Sequence, residues 1–294
     1  MWVRAGRFGF NTSSTANRLP ATLRFAAAAP RRRCAFAQGC FRLLRAGALP
    51  ARDRDTTSIV FVGDGDAVLI DCGGSPMQKL LRAGVTRDAL RRVIITHMHT
   101  DHAYGLPSLV ETLYLLGRRA PLRLACREEH EQPLRTLLGV FRQLERPGIF
   151  PIVWELVPAR EGFALPALGS FAVSSSPNAH GSMPNVAVRL EAAGRPTVVY
   201  SSDTEPCDAV TALARGAHTL IHEATFSARR LERFGVHSTA AEAGRIAAQA
   251  GVARLILAHI DVAHHGELDA HRDEARAHFA GEVEVAQELV PYPL

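Results

Sequence analysis

The sequence predicts an α+β fold in which helices cover layered sheets, and three patterns support it. Short aliphatic and β-branched runs crowd the first half of the chain. Strand-like and helix-like segments alternate in the second half. Histidine or aspartate recurs where the strand-like runs stop. With 294 residues, 47% of them apolar, the chain is long enough to bury one sizeable core. No internal repeat of about 20–50 residues is visible, so residues 40–294 read as one domain.

The elements follow in order. Phe41-Arg-Leu-Leu-Arg-Ala-Gly47 reads as a first strand and turn. Ile59-Val-Phe-Val and Ala67-Val-Leu-Ile flank Gly63-Asp64-Gly65, which makes a hairpin closed by Asp71-Cys72-Gly73-Gly74. A short helix over 76–83 stops at Gly84. Val93-Ile-Ile-Thr96 is a buried strand, and Leu106 to Leu116 has helical spacing up to Gly117. Leu122 to Cys126 is a strand, and 128–145 reads as a charged helix. Several short strands fall between Ile152 and Ser202. Helices over 206–214, 239–250 and 267–279 then alternate with strands over 219–222 and 254–258. Such a pattern predicts mostly antiparallel sheets, each covered on one face.

Charge is unevenly placed. Residues 1–50 hold nine arginines and no acid, whereas the other 244 residues hold 25 of the 34 basic side chains and all 29 acids, a net of −4. The body therefore lacks the global basic footprint of a nucleic-acid binder. Residues 1–39 are rich in Arg, Ala and Ser, as a disordered arm, a targeting-like extension or upstream sequence would be. Lys79 is the single lysine beside 33 arginines, a bias that points to coding composition. The five cysteines are scattered without a Cys-x-x-Cys pair, which fits a reducing cytoplasm. No apolar run is long enough for a membrane helix, and no membrane partner is expected.

Chemistry concentrates in residues 97–102, His-Met-His-Thr-Asp-His, directly after the Val93–Thr96 strand. Buried and unpaired, each of these groups would cost on the order of 2–7 kcal/mol, so their clustering at a strand end points to a bound cation. His97 and His99 can face one way while Asp101 and His102 face another, which lets two metal sites share one loop. Zinc takes roughly four ligands, so a two-metal centre needs about three more from elsewhere. Candidates sit at later strand ends: Asp203 after Val198-Val-Tyr-Ser-Ser, His259 after Leu255-Ile-Leu-Ala, and His180 in a Gly- and Pro-marked turn. Asp203 could instead cap a helix, and a lone histidine is usually structural. Four such coincidences are less probable than one shared centre. His130, His218, His264, His265, His271 and His278 read as surface residues, and His222 as a structural strand-end residue.

The series His97-x-His99-x-Asp101-His102, His180, Asp203 and His259 resembles the ligand set of the metallo-β-lactamase superfamily. Leu43-Leu-Arg-Ala-Gly, Arg54-Asp-Thr-Thr-Ser and Asp71-Cys-Gly resemble its opening segments. The resemblance implies a four-layer αββα sandwich of the metallo-β-lactamase type with a dinuclear zinc centre, Mn2+ or Fe2+ being alternatives. His97, His99 and His180 would hold one ion. Asp101, His102 and His259 would hold the other, and Asp203 would bridge. Ile221-His222-Glu223-Ala224-Thr225-Phe226 and His237-Ser238-Thr239-Ala240 resemble motifs of ribonuclease Z, the tRNA 3′-processing endonuclease. In that family the Glu and the second motif's His form a proton relay, which implies catalytic roles for Glu223 and His237 beside Asp101. A carboxylate bonded to one imidazole nitrogen fixes the tautomer and raises the basicity of the other. Thr239-Ala-Ala-Glu242 also reads as a capping box, and both readings can hold.

Departures from the resemblance narrow it. Only 22 residues separate His180 from Asp203, about what two strands and a turn consume, so the family's protruding tRNA-grasping arm is absent. Thr100 replaces a glycine, and Ile-Asp-Val-Ala-His-His after His259 does not follow the usual continuation. The implied activity is a phosphodiesterase or endoribonuclease acting on a tRNA precursor. The alternative is hydrolysis of a small ester, lactone, thioester or cyclic nucleotide. A metal-binding scaffold with a dead site has little support, because every ligand position is filled. The resemblance makes a homodimer plausible.

Overall fold

The computed structural model describes residues 39–52, 54–228 and 236–294. The N-terminal extension expected over 1–39 lies outside the described residues, Gly39 excepted.

The first half runs β1 (Cys40–Arg45), β2 (Ser58–Gly63), β3 (Asp66–Ile70), α1 (Pro76–Arg82), β4 (Leu90–Ile95), α2 (Thr100–Ala103), α3 (Leu106–Leu115), β5 (Leu122–Arg127), α4 (Glu131–Val140) and β6 (Ile152–Val157). The second half follows a similar plan: β7 (Phe163–Ala164), β8 (Ala172–Pro177), β9 (Val186–Glu191), β10 (Val198–Tyr200), α5 (Asp208–Ala214), β11 (Thr219–Glu223), α6 (Ala240–Ala250), β12 (Arg254–Ala258), α7 (Leu268–Arg276) and β13 (Glu282–Val285). Finally β14 (Tyr292–Pro293) returns to pair with β1. Two seven-stranded sheets result, ordered β14-β1-β2-β3-β4-β5-β6 and β13-β12-β11-β10-β9-β8-β7.

Side-chain alternation along the strands builds the layers. Phe41 and Leu43 of β1 face the second sheet, where they share a core with Phe61, Ile70, Val188, Tyr200 and Ile256. Cys40 and Leu44 point the other way, into a core with Leu80 of α1, Leu109 of α3 and Leu134 of α4. On the far side, Leu220 and Leu255 pack under Val210 of α5, Ile246 of α6 and Ala275 of α7. Three stacked cores make four layers, αββα, as expected.

The sheets are mixed rather than mostly antiparallel. In each, three neighbouring pairs are antiparallel and three parallel. Every parallel step is a crossover through a helix, because a strand that re-enters in the same direction must first cross back over the sheet. The carboxyl ends of β3, β4, β10, β11 and β12 are where ligands of such sheets collect.

Two element boundaries differ from expectation. The helix expected over 128–145 is a 3-10 turn at Glu128–His130 followed by α4, which ends at Val140. Arg142 adopts a left-handed φ of 53°, and the Gln143 amide donates to Pro107 O at 2.8 Å, which pulls the chain off the helix axis. The short edge strands β7 and β14 carry two residues each, too few to show a pattern. Of the histidines expected at the surface, His130 is 4% exposed and bonds Pro184 O at 2.7 Å, and His271 is fully buried. No described helix is long and apolar enough to cross a membrane.

Candidate metal centre

Strand β4 is apolar and flanked by β3 and β5, so it runs buried up to Thr96 and delivers His97 to the sheet edge. The chain turns there into α2, which places Asp101 and His102 beside it. Asp71 ends β3, Asp203 follows β10, His259 follows β12, and His180 stands in the β8–β9 turn. Asp71, His259 and Ser202, the neighbour of Asp203, adopt φ of 60°, 54° and 54°. Left-handed backbone at non-glycine positions is costly, and its clustering at one edge is a mark of functional strain.

The seven predicted ligands converge. His99 Nδ1 lies 3.1 Å from His97 Nε2 and 3.0 Å from His180 Nε2. Asp203 Oδ2 is 3.8 Å from His97 Nε2, 3.3 Å from His102 Nε2 and 3.1 Å from His259 Nε2. Asp101 Oδ2 stands 3.2 Å from His102 Nε2 and 3.4 Å from His259 Nε2. Two groups of four have their ligand atoms within 4.8 Å of one another, His97, His99, His180 and Asp203, and Asp101, His102, Asp203 and His259; a third, Glu223, His237 and His259, adjoins them. Asp203 belongs to both groups of four. Spacings of this kind suit ligand atoms held around an ion at about 2.0–2.2 Å each.

The outward nitrogens fix the tautomers. His102 Nδ1 donates to Asp71 Oδ2 at 2.8 Å, and His180 Nδ1 donates to Val236 O at 2.9 Å. Thr96 Oγ1 donates to Asp71, so His97 Nδ1, 3.1 Å away, donates to that hydroxyl. Thr225 Oγ1 donates to Glu223 Oε2 and accepts from His259 Nδ1 at 2.9 Å. In all four imidazoles the hydrogen-bond network leaves the Nε2 lone pair aimed inward, the arrangement of a metal-ligating histidine. His102 Nε2 and Asp203 Oδ1 are buried with no hydrogen-bond partner. Two buried polar atoms without hydrogen-bond partners, among imidazoles and carboxylates, fit a divalent cation, which would take the place of the proton that the carboxylates otherwise hold on His102.

Electrostatics agree. Burial holds the His97, His99 and His180 rings below the usual imidazole range, so they are neutral donors of a lone pair. Burial also disfavours charge on His102 and Asp203, yet the carboxylates raise His102 and the imidazoles His259 and His102 hold Asp203 low. The centre thus keeps its carboxylates ionised and calls for positive charge.

Glu223 and His237 meet beside this group. The Glu223 carboxylate is buried at the end of β11, and its Oε1 accepts from His237 Nδ1 at 2.8 Å. Glu223 also accepts from Thr204 N at 2.8 Å and Thr225 N at 3.1 Å, which locks its orientation. Desolvation works against a charged His237, but the bond to Glu223 together with the charges of Glu223, Asp203 and Asp101 outweighs it and lifts the ring to about 9. The His237 ring stacks 5.4 Å from His259 and stands 5.0 Å from His180. Thr239, two residues on, caps α6 in a complete capping box: its Oγ1 accepts from Glu242 N at 3.2 Å, while Glu242 Oε2 accepts from Thr239 N at 2.9 Å. His222 is fully buried, Nδ1 donating to Glu223 O, and serves as the structural residue expected.

Four participants were not among the expected site residues. Asp71, Thr96, Thr225 and Val236 hold the ligands from behind. Asp71 ends an apolar run and Thr225 falls inside the Ile221–Phe226 motif, whereas nothing in the sequence marks Val236. The cleft in front, about 310 Å³, is lined by His99, Asp101, Asp203, His237 and His259, with Ala48, Leu49 and Phe226 as its apolar wall.

Comparison with known proteins places this geometry. The family model described as "Beta-lactamase superfamily domain" matches residues 66–260. The chain is 28% identical to Ribonuclease Z of Methanosarcina acetivorans, over 84% of this chain and 96% of that one. It is 30% identical to Ribonuclease Z of Natronomonas pharaonis, again over 84% and 96%. Among solved structures, the metallo-beta-lactamase fold protein YhfI from Bacillus subtilis superposes with a TM-score of 0.72 at 26% identity, covering 86% of this chain and 98% of that one.

Proposed function

The chain belongs to the beta-lactamase superfamily, in its ribonuclease Z-like branch, and on that premise we propose that it is a two-zinc phosphodiesterase cutting RNA of the tRNA-precursor class. The family and the site together make it a metal-dependent hydrolase of phosphodiester bonds. His97, His99 and His180 would hold one ion and Asp101, His102 and His259 the other, with Asp203 shared; Mn2+ or Fe2+ would suit the same ligands. Such ions supply charge stabilisation at the phosphate and a lowered water pKa.

The chain's own residues supply the rest. Asp101, one-quarter exposed and facing the cleft, orients the attacking water and accepts its proton. His237, held by Glu223, donates a proton to the departing 3′-oxygen. The observation that carries this reading is the 2.8 Å Glu223–His237 pair set against the cluster. A superfamily hydrolase that expels a good leaving group has no need of such a raised imidazole.

A second reading, a small phosphodiester or ester substrate, is favoured by the compact β9–β10 hairpin between His180 and Asp203, which leaves no room in the chain for a grasping arm. Assays on precursor tRNA, bis(p-nitrophenyl) phosphate and an acyl-homoserine lactone separate the two. Cleavage of the tRNA precursor at its 3′ side is expected, and activity on the lactone alone would overturn the proposal. A homodimer in the cytoplasm completes it, and sedimentation at working concentration tests the dimer.

A further inference from the structure

The 3-10 turn Val262–Glu267 and helix α7 carry three histidines, and two of them have buried ring nitrogens without a hydrogen-bond partner. His265 Nε2 donates to Ile260 O at 3.1 Å. His271 is fully buried on α7, yet neither of its ring nitrogens has a hydrogen-bond partner; the buried Nε2 of His264 has none either. The Glu267 carbonyl influences His271 without reaching hydrogen-bond geometry. The two rings stand 5.0 Å apart between centroids, inclined at 56°. Polar atoms left unpaired in this way cost about 1–3 kcal/mol each, and three in one place need an explanation.

Several observations select a metal. The two rings stand seven residues apart, so they approach across the junction of the 3-10 turn and α7. Burial and the neighbouring His264 lower His271, so its ring is neutral and keeps a lone pair. The nearby Glu274 is engaged elsewhere, accepting from Ser227 Oγ at 2.5 Å and Ala228 N at 2.9 Å. Glu267 is exposed and forms no ion pair among the described residues, and it lies three residues from His264 and four from His271. Among the described residues no third side chain joins the pair, which leaves the remaining coordination positions to water or an exposed carboxylate.

We propose that His264 and His271 form a second metal site, for a divalent d-block ion such as zinc or nickel, with water or the Glu267 carboxylate completing the coordination. Imidazole pairs suit these ions, whereas magnesium and calcium prefer oxygen. An ion there ties the 3-10 turn that follows His259 to α7, whose Glu274 holds the chain at Ser227 and Ala228.

Zinc uptake by the full-length protein, measured by equilibrium dialysis in zinc buffers, tests this. Wild type is expected to take up one equivalent more than His264→Ala, and to gain several degrees in melting temperature as that equivalent binds, a gain the variant lacks. His264 is the position to change because it is half-buried; His264→Gln, closer in size, serves if the alanine variant misfolds. Equal uptake by wild type and variant would overturn the proposal. The difference between the two proteins is the readout, so the test stands whatever number of ions the 97–102 centre holds.

Discussion

In the proposed reaction, His237 and Glu223 divide a task between two atoms of one ring. Nδ1 is spent on the carboxylate at 2.8 Å, which leaves Nε2 to carry the proton that a ribose oxygen needs on departure. His237→Ala should lower turnover on RNA by roughly 10²- to 10⁴-fold, the usual worth of a general acid, with zinc content unchanged. On bis(p-nitrophenyl) phosphate the same change should do little, because nitrophenolate leaves without a proton. Equal losses on both substrates would mean that the ring positions the substrate instead. The raised His237 is protonated below about 9, so turnover on RNA should fall as pH rises through that value, and the fall should be missing in the alanine variant. Asp71 acts one step further back: Asp71→Ala frees His102 Nδ1 and should weaken zinc binding about 10- to 100-fold in a metal-buffered titration. The candidate ligands were legible because the 97–102 loop, Asp203 and His259 each follow an apolar strand, while His180 was marked by its Gly- and Pro-containing turn. Asp71 shared the strand-end trait, but its partner His102 lies 31 residues away, and only the fold brings them together.

At the level of elements, the capping box of α6 is a mount for catalysis. Thr239 bonds Glu242 in both directions, and Phe226 bridges to Thr239, which fixes the chain two residues after His237. Thr239→Ala should cost about 1 kcal/mol in denaturant unfolding. It should also lower kcat with little change in KM, since it moves the donor and leaves the binding groups. Both halves of that box were readable as Thr-x-x-Glu, as were the strands and helices long enough to show a period. Strand direction was not. Alternation says which face of a strand is buried but not which way its neighbour runs, and the parallel halves of both sheets follow from helix crossovers instead. The edge strands β7 and β14 span two residues each, too few for any pattern.

Across the whole molecule, the centre joins the sheets. His97, His99, Asp101 and His102 belong to the first, while His180, Asp203 and His259 come from the second. Ions held between them would bind the folded chain far better than the unfolded one, and so stabilise it. Chelator-treated protein should melt several degrees lower than the zinc-loaded form in calorimetry, with the original melting restored by zinc. A melting temperature indifferent to chelation would show that the sheets hold together through their shared core alone.

The division of candidate ligands between sheets has a further consequence for how the molecule can be taken apart. A backbone cut in the exposed turn between β6 and β7 separates residues up to about 160, with one share of the ligands, from the remainder, with the other. Neither fragment alone can enclose a cation pair. Co-expressed, the two pieces share the inter-sheet core, and on the proposed metal reading their reassembly is expected to tighten when zinc is added.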